Sequence, residues 1–180
     1  MNICVFCSSS NDLASIYYDE AQQIGTYIGE KGHTLVYGAS NQGMMERMAK
    51  ATSEANGSII GIIPEVLKNK GFASKYPSEL FVVESLTERK DMMAEYADVF
   101  VALPGSFGTL DEIFEVLGTA QLGYHSKPII IVNSNDYYSP LIAQINNAFS
   151  GNFAHSSNKN LFLFVNNVQE LIQHFEKINF

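Results

Sequence analysis

The sequence predicts a doubly wound α/β fold, a parallel β-sheet flanked by helices on both faces. Three observations predict it. Strand-like and helix-like segments alternate from one end of the chain to the other. Strands such as Ser58–Ile63 and Pro128–Val132 are apolar at consecutive positions, as strands covered on both faces must be. Stretches rich in Gly, Ser and Thr follow strands and precede helices. Repeated βα units place their ligand-binding turns there, in a Rossmann-like sandwich.

Each element has its own justification. Asn2–Cys7 is a first apolar strand. Ala14–Lys31 is helical, with Ile16, Ile24 and Ile28 on a helical period and Gly32 as the stop. Thr34–Tyr37 is a second strand ending at Gly38, and Gly43–Asn56 is a second helix with Gly57 behind it. Ser58–Ile63 is a third strand stopped by Pro64, followed by a helical turn at Glu65–Asn69. Gly71–Ser78 has no period and reads as a loop, the expected mobile lid. Leu80–Val83 is a fourth strand, and Thr87 is placed to cap a helix running to Tyr96. Val99–Leu103 is a fifth strand, followed by a helix from Gly108 to Leu122. Pro128–Val132 is a sixth strand, with a helix over Tyr138–Phe149. Gly151–Asn160 is polar and loop-like, and Leu161–Val165 is the last strand. Asn167 and Glu170 suit a capping box for the closing helix. No linker or internal repeat interrupts the series, so residues 1–180 are expected to form one nucleotide-binding domain.

Composition narrows the partners. The chain has 180 residues, of which 46% are hydrophobic, enough to bury a substantial core. Its formal net charge of −8 repels long polyanions, so a nucleic acid polymer is not an expected partner. A small nucleotide remains compatible, because a local cradle of amides can outweigh the global sign. No segment reads as a signal peptide, and no apolar run approaches the ~20 residues of a membrane span. The expected location is therefore cytoplasmic, with no membrane contact. Cys4 and Cys7 have C-x-x-C spacing but lie in one strand, where positions i and i+3 face opposite sides roughly 10 Å apart. A disulfide needs Cα atoms within about 7 Å, so both are expected to be small buried hydrophobes. His33, His125, His155 and His174 are scattered, with no metal-ligand spacing.

Five segments can carry chemistry. The turn Pro104-Gly105-Ser106-Phe107-Gly108-Thr109 passes from a strand to a helix, where unpaired N–H groups and the helix dipole favour an anion such as phosphate. A tight turn with a plain helix cap would use the same residues. Gly38-Ala39-Ser40-Asn41-Gln42-Gly43 is a second such turn, and lacks the Lys-Ser/Thr pair of a P-loop. Ser8-Ser9-Ser10-Asn11 offers hydroxyls and N–H groups to a phosphate or ribose, or simply caps the next helix. In Thr87-Glu88-Arg89-Lys90, Arg89 can fork onto a phosphate or base, or belong to a solvated first turn. Glu112 and Glu115, with Asp111 beside them, put carboxylates near the Gly-rich turn, where one can stabilise a cation or activate water.

Taken together these segments resemble the LOG (LONELY GUY) cytokinin-activating proteins, nucleoside 5′-monophosphate phosphoribohydrolases. The family marker P-G-G-x-G-T-x-x-E is similar to Pro104–Glu112, and E-R-K-x-x-M to Glu88–Met93. The opening C-V-F-C-G-S-S is similar to Cys4–Ser10, and V-Y-G-G-G…G-L-M-G to Val36–Ser40 with Gly43–Glu46. The resemblance implies cleavage of the N-glycosidic bond of AMP or N6-substituted AMP to free base and ribose 5-phosphate, without metal or cofactor. It implies Arg89 and Glu112 as the catalytic pair, with Gly105, Ser106, Phe107, Gly108 and Thr109 around the 5′-phosphate. Ser8, Ser9, Gly38, Gly43 and Lys90 complete the expected nucleotide-binding set. The expected assembly is a homodimer or a larger homo-oligomer. The resemblance also brings a label often attached to the family, lysine decarboxylase. That chemistry needs a lysine Schiff base to pyridoxal phosphate, and nothing around Lys31, Lys50 or Lys90 suggests one.

The chain departs from the family pattern at Ser8, Ala39, Ser40, Glu46 and Ser106, each where the family has glycine. Ser106 is unstrained only if its φ is negative. Glu46 opposes phosphate binding if it faces the phosphate and is harmless if it faces solvent. Pocket size is expected to depend on Met92, Met93 and the Gly71–Ser78 loop. The alternative reading is a non-catalytic nucleotide or cofactor carrier of the same fold, such as the molybdenum-cofactor carriers.

Overall fold

The first strand, β1 (Asn2–Phe6), shows how the sequence builds a core on both sides of a sheet. Successive strand side chains point to opposite faces. Ile3 and Val5 accordingly enter one buried cluster, and Cys4 and Phe6 another. A computed structural model of the chain describes residues 1–177. After β1 come α1 (Ser15–Glu30), β2 (Thr34–Tyr37), α2 (Gly43–Glu54), β3 (Ser58–Pro64), α3 (Glu65–Asn69) and β4 (Glu79–Val83). Then follow α4 (Leu86–Tyr96), β5 (Val99–Ala102), α5 (Phe107–Gln121), β6 (Ile129–Val132), α6 (Ser139–Ser150), β7 (Leu163–Val165) and α7 (Val168–Lys177).

The seven strands form one sheet in the order β4-β3-β2-β1-β5-β6-β7, and every neighbouring pair is parallel. The chain builds outward from β1 to β4, crosses back through α4, and builds the other way from β5 to β7. The order therefore reverses between β1 and β5, which pair from Ile3↔Val99 to Phe6↔Ala102. Ligands of open α/β sheets bind outside the carboxyl ends of the strands at such a switch point.

Helices α1, α2 and α7 cover one face through Ile24, Ile28, Met44, Met48, Leu171 and Phe175. Helices α4 and α5 cover the other through Met93, Val116 and Ala120. α1 and α2 approach closely because Gly25 has no side chain: a Cβ there would lie 2.4 Å from the Met48 carbonyl oxygen. Cys4 and Cys7 are free and buried, one in each cluster.

Several boundaries are set by features the pattern did not reveal. Ser85, not Thr87, caps α4, its hydroxyl accepting from the Glu88 N–H at 3.0 Å. Asn167 does accept from the Glu170 N–H at 2.9 Å, but the Glu170 carboxylate reaches one residue further back, to the Asn166 N–H. Ser156–Asn160 forms a short 3₁₀ turn inside the expected loop, and the last strand begins only at Leu163. The Gly71–Ser78 segment is strapped down rather than free. Asn41 donates from its N–H to the Phe72 carbonyl, and the Ser74 N–H donates to Ala39. Ser40 and Ala73 form an antiparallel bridge.

Candidate active site

At the switch point a cleft of about 310 Å³ opens between the turns that follow β1, β2 and β5. The β1 and β5 turns are tied to each other, since the Ser8 N–H donates to the Pro104 carbonyl and the Leu103 N–H to Phe6. The β1 turn is also tied to α2: the Met44 N–H donates to the Ser8 carbonyl and the Gly43 N–H to Asn11 Oδ1. Gly43 has φ +58, and a Cβ there would lie 2.5 Å from the Ser9 backbone, so this contact requires glycine. Gly43 thus supports the site from behind, and Ser8 and Ser9 face the cleft.

The floor of the cleft nearest β5 is the start of α5. Ser106 is its N-cap, at φ −99, and makes no side-chain cap. Its φ is negative, so serine in place of glycine costs no left-handed strain there. The first-turn N–H groups of a helix have no intrahelical acceptor, and the macrodipole adds positive potential. Ser106, Gly108 and Thr109 line the cleft. Gly105 leaves room for the Thr109 side chain, whose Oγ1 would lie 2.1 Å from an added Cβ. Phe107 points its ring outward, 89% exposed, and contributes only backbone to the turn.

Two tyrosines brace this turn from behind, and the sequence reading did not identify them. Tyr137 donates to the Gly105 carbonyl at 2.8 Å, and Tyr138 to the Leu103 carbonyl at 2.9 Å. The signal available was the pair of aromatics just after the sixth strand, which by pattern alone is indistinguishable from core.

Arg89 and Glu112 meet inside the cleft. Arg89 comes from the first turn of α4 and Glu112 from the second turn of α5. Arg89 Nη2 lies 3.1 Å from Glu112 Oε1, and both side chains are almost wholly buried. Gly38 makes the meeting possible, because a Cβ there would fall 1.7 Å from Arg89 Nη2. Its role is clearance for the guanidinium. Arg89 Nε is buried without a partner. Burial pushes the Glu112 carboxyl up to about 7, with Arg89 pulling it down and Asp111 adding to the rise. A carboxyl so poised exchanges its proton near neutral pH. Cys7 also lines the cleft, but burial drives its thiol far up, so it is no nucleophile.

Lys90 stands elsewhere. It pairs with Asp111 at 2.9 Å and with Glu115, outside the cleft that Arg89 lines, because adjacent helix residues point in different directions. The expected walls also change. Met93 is sealed in the core beneath the sheet, with Met92 packed against the same cluster. The expected Gly71–Ser78 loop does line the cleft, through Phe72, and Met45, Ile63 and Leu67 complete the apolar wall in place of the two methionines. Among the described residues no cluster of His, Cys, Asp and Glu could hold a metal ion, and no helix is long and apolar enough to cross a membrane.

Comparison with known proteins relates the chain to one family and one fold. A family model described as possible lysine decarboxylase matches residues 45–175. A cytokinin riboside 5′-monophosphate phosphoribohydrolase of Arabidopsis thaliana is 37% identical over 174 residues, covering 97% of this chain and 76% of that protein. A probable enzyme of the same name from Oryza sativa subsp. japonica is 37% identical over 175 residues, covering 97% and 77%. Among solved structures, the molybdenum cofactor carrier protein of Chlamydomonas reinhardtii superposes with a TM-score of 0.74 at 21% identity, over 98% of this chain and 96% of that one. The molybdenum cofactor binding protein of Rippkaea orientalis gives 0.71 at 22% identity, over 98% and 94%. These two likenesses concern the fold.

Proposed function

The chain belongs to the LOG family, and on that premise we propose that it hydrolyses the N-glycosidic bond of AMP or an N6-substituted AMP, releasing the free base and ribose 5-phosphate. The observation that carries the reading is the buried Arg89–Glu112 pair beside the uncapped start of α5.

The 5′-phosphate docks on the amides of Ser106–Thr109. This anchoring fixes the sugar relative to Glu112 and supplies binding energy to the reacting centre. As the bond between C1′ and the base nitrogen lengthens, positive charge grows on the ribose. The ionised Glu112 carboxylate stabilises that charge and orients the water that attacks C1′. One water proton is lost as the new C–O bond forms, and the departing base gains one. Arg89 holds Glu112 in place and offsets negative charge on the base. A homodimer is the proposed assembly, supported by apolar residues exposed along and beyond α5, Phe114, Leu122 and Tyr124, that a second copy would cover.

Incubation with AMP, followed by chromatography of free adenine and ribose 5-phosphate, tests the reading. Glu112→Gln is expected to lose about a thousandfold or more in kcat while still binding AMP by calorimetry. Unchanged ribose 5-phosphate release by that variant would defeat it. AMP binding without adenine release from the unaltered protein would favour a carrier.

A further inference from the structure

Glu46 has no part in the chemistry just described, yet it turns neither fully into solvent nor toward the amide turn. It sits half-buried in the first turn of α2, and its carboxylate accepts a hydrogen bond from the Ser74 hydroxyl. Ser74 is 5% exposed and belongs to the segment between α3 and β4. Beside them lies the buried Tyr37 hydroxyl, which faces both Ser74 and Glu46. A hydroxyl bonded to a carboxylate is a stronger tie than one between neutral groups.

What the tie holds matters for the cleft. Two residues before Ser74 stands Phe72, which lines the cleft. Phe72 is gripped through its backbone, donating to the Leu67 carbonyl and accepting from the Asn41 N–H. The Ser74 N–H donates to the Ala39 carbonyl, and Asn41 Nδ2 reaches the Gly71 carbonyl at 2.8 Å. All but the Leu67 contact come from the turn after β2, which bends at Ala39 with φ +53. Glu46 is the side chain that reaches across from α2 to secure the same segment.

Sheet order fixes which end of the cleft this is. From the phosphate turn after β5, the sheet passes β1 and β2 to reach β3. Three strand spacings are about 14 Å. Ile63 and Leu67, at the end of β3 and in α3, therefore wall the end opposite the phosphate, with Phe72 beside them. A nucleotide held by its phosphate presents its base there.

We propose that Glu46 is a positioning residue: bonded to Ser74, it holds Phe72 against the base end of the cleft and makes the site select nucleotides with an unsubstituted base over those with a bulky apolar group at N6. This rests on the nucleotide-hydrolysing reading of the cleft and adds the substrate preference and the residue that sets it. At about 310 Å³ the cleft is at the small end of ligand sites, which agrees with a bare base.

The test compares AMP with N6-isopentenyl-AMP in the intact protein and in Glu46→Ala, Glu46→Gln and Ser74→Ala. The ratio of kcat/KM for AMP to that for the isopentenyl nucleotide is expected to exceed one. It should fall about tenfold or more in Glu46→Ala, mostly through KM. Ser74→Ala should reproduce the fall, and the double variant should add nothing to it. Glu46→Gln still accepts a hydrogen bond and should restore most of the ratio, whereas a residue that only supports the fold would move both substrates together. A ratio at or below one in the unaltered protein, or one unmoved by Glu46→Ala and Ser74→Ala, overturns the inference. If no base is released from either nucleotide, the hydrolase reading fails by itself. The same comparison is then read from calorimetric Kd values for the two nucleotides, with the same expected ratios.

Discussion

Glu112 is drawn in two directions. Burial favours its neutral form, while the Arg89 guanidinium 3.1 Å away favours the carboxylate, and burial prevails. The ionised form is the one that stabilises a sugar cation. The kcat/KM for AMP should therefore rise with pH through about 7, and not fall. Arg89→Gln removes the pull toward ionisation, so the Glu112 carboxyl should then titrate at higher pH, an upward shift that carbon NMR of the labelled carboxyl reads directly. Ala39 is a different single-residue case. It is fully buried and left-handed, at φ +53, a conformation that costs an L-residue about 1–2 kcal/mol. Ala39→Gly relieves that strain but loses a buried methyl and gains unfolded-state freedom, so the net change in urea denaturation should stay within about 1 kcal/mol. Ala39→Val adds branching where even one methyl is strained, and should destabilise by about 2 kcal/mol or more.

Among elements, the contact of α1 with α2 depends on the missing side chain of Gly25. In an isolated helix Gly25→Ala would gain about 1 kcal/mol of propensity. Here the new Cβ would meet a backbone carbonyl at 2.4 Å, and a backbone atom cannot step aside as a flexible side chain can. The helices must separate, at about 1–3 kcal/mol of overpacking. Net destabilisation in urea is expected, opposite in sign to the propensity. Gly38 sets a similar limit on α4, because its added Cβ would push Arg89 off Glu112. Gly38→Ala should lower kcat far more than it lowers stability, and activity assayed beside a denaturation curve separates the two. Helix starts were partly legible in the sequence. The Asn167 cap of α7 was readable from its spacing to Glu170. The cap of α4 was misplaced by two residues, since Ser85 and Thr87 are both good caps and only the backbone path decides between them.

At the scale of the molecule, the site joins turns from strands far apart in sequence, so ligand binding should stabilise the whole fold. Ribose 5-phosphate at a hundred times its Kd should add about 2.7 kcal/mol. For a chain of this size that raises Tm by roughly 5–10 °C, which a thermal melt can verify. The proton held by Glu112 gives a second global readout. Its folded value near 7 exceeds the ordinary 4.5, so between them the folded state binds more protons than the unfolded. Stability from this group is full below 4.5 and declines as pH rises through 7. The stability of Glu112→Gln relative to the unaltered protein should accordingly increase with pH across that window in urea titrations.

Local pattern by itself determined the alternation of strands and helices, the opposite facing of Cys4 and Cys7, and the amide-rich turn ahead of α5, because periodicity and glycine placement act over a few residues. Arg89 and Glu112 were candidates by residue type and position, and the likeness of the motifs to the LOG proteins paired them as the catalytic residues. Only the tertiary structure decided that Arg89 turns into the cleft while Lys90 turns out to Asp111 and Glu115, that Met93 is core while Phe72 is wall, and that Tyr137 and Tyr138 brace the turn. Direction around a helix, and which distant turn a loop is bonded to, depend on how the layers dock. That docking is a sum over contacts between residues far apart in the chain, which no local pattern encodes.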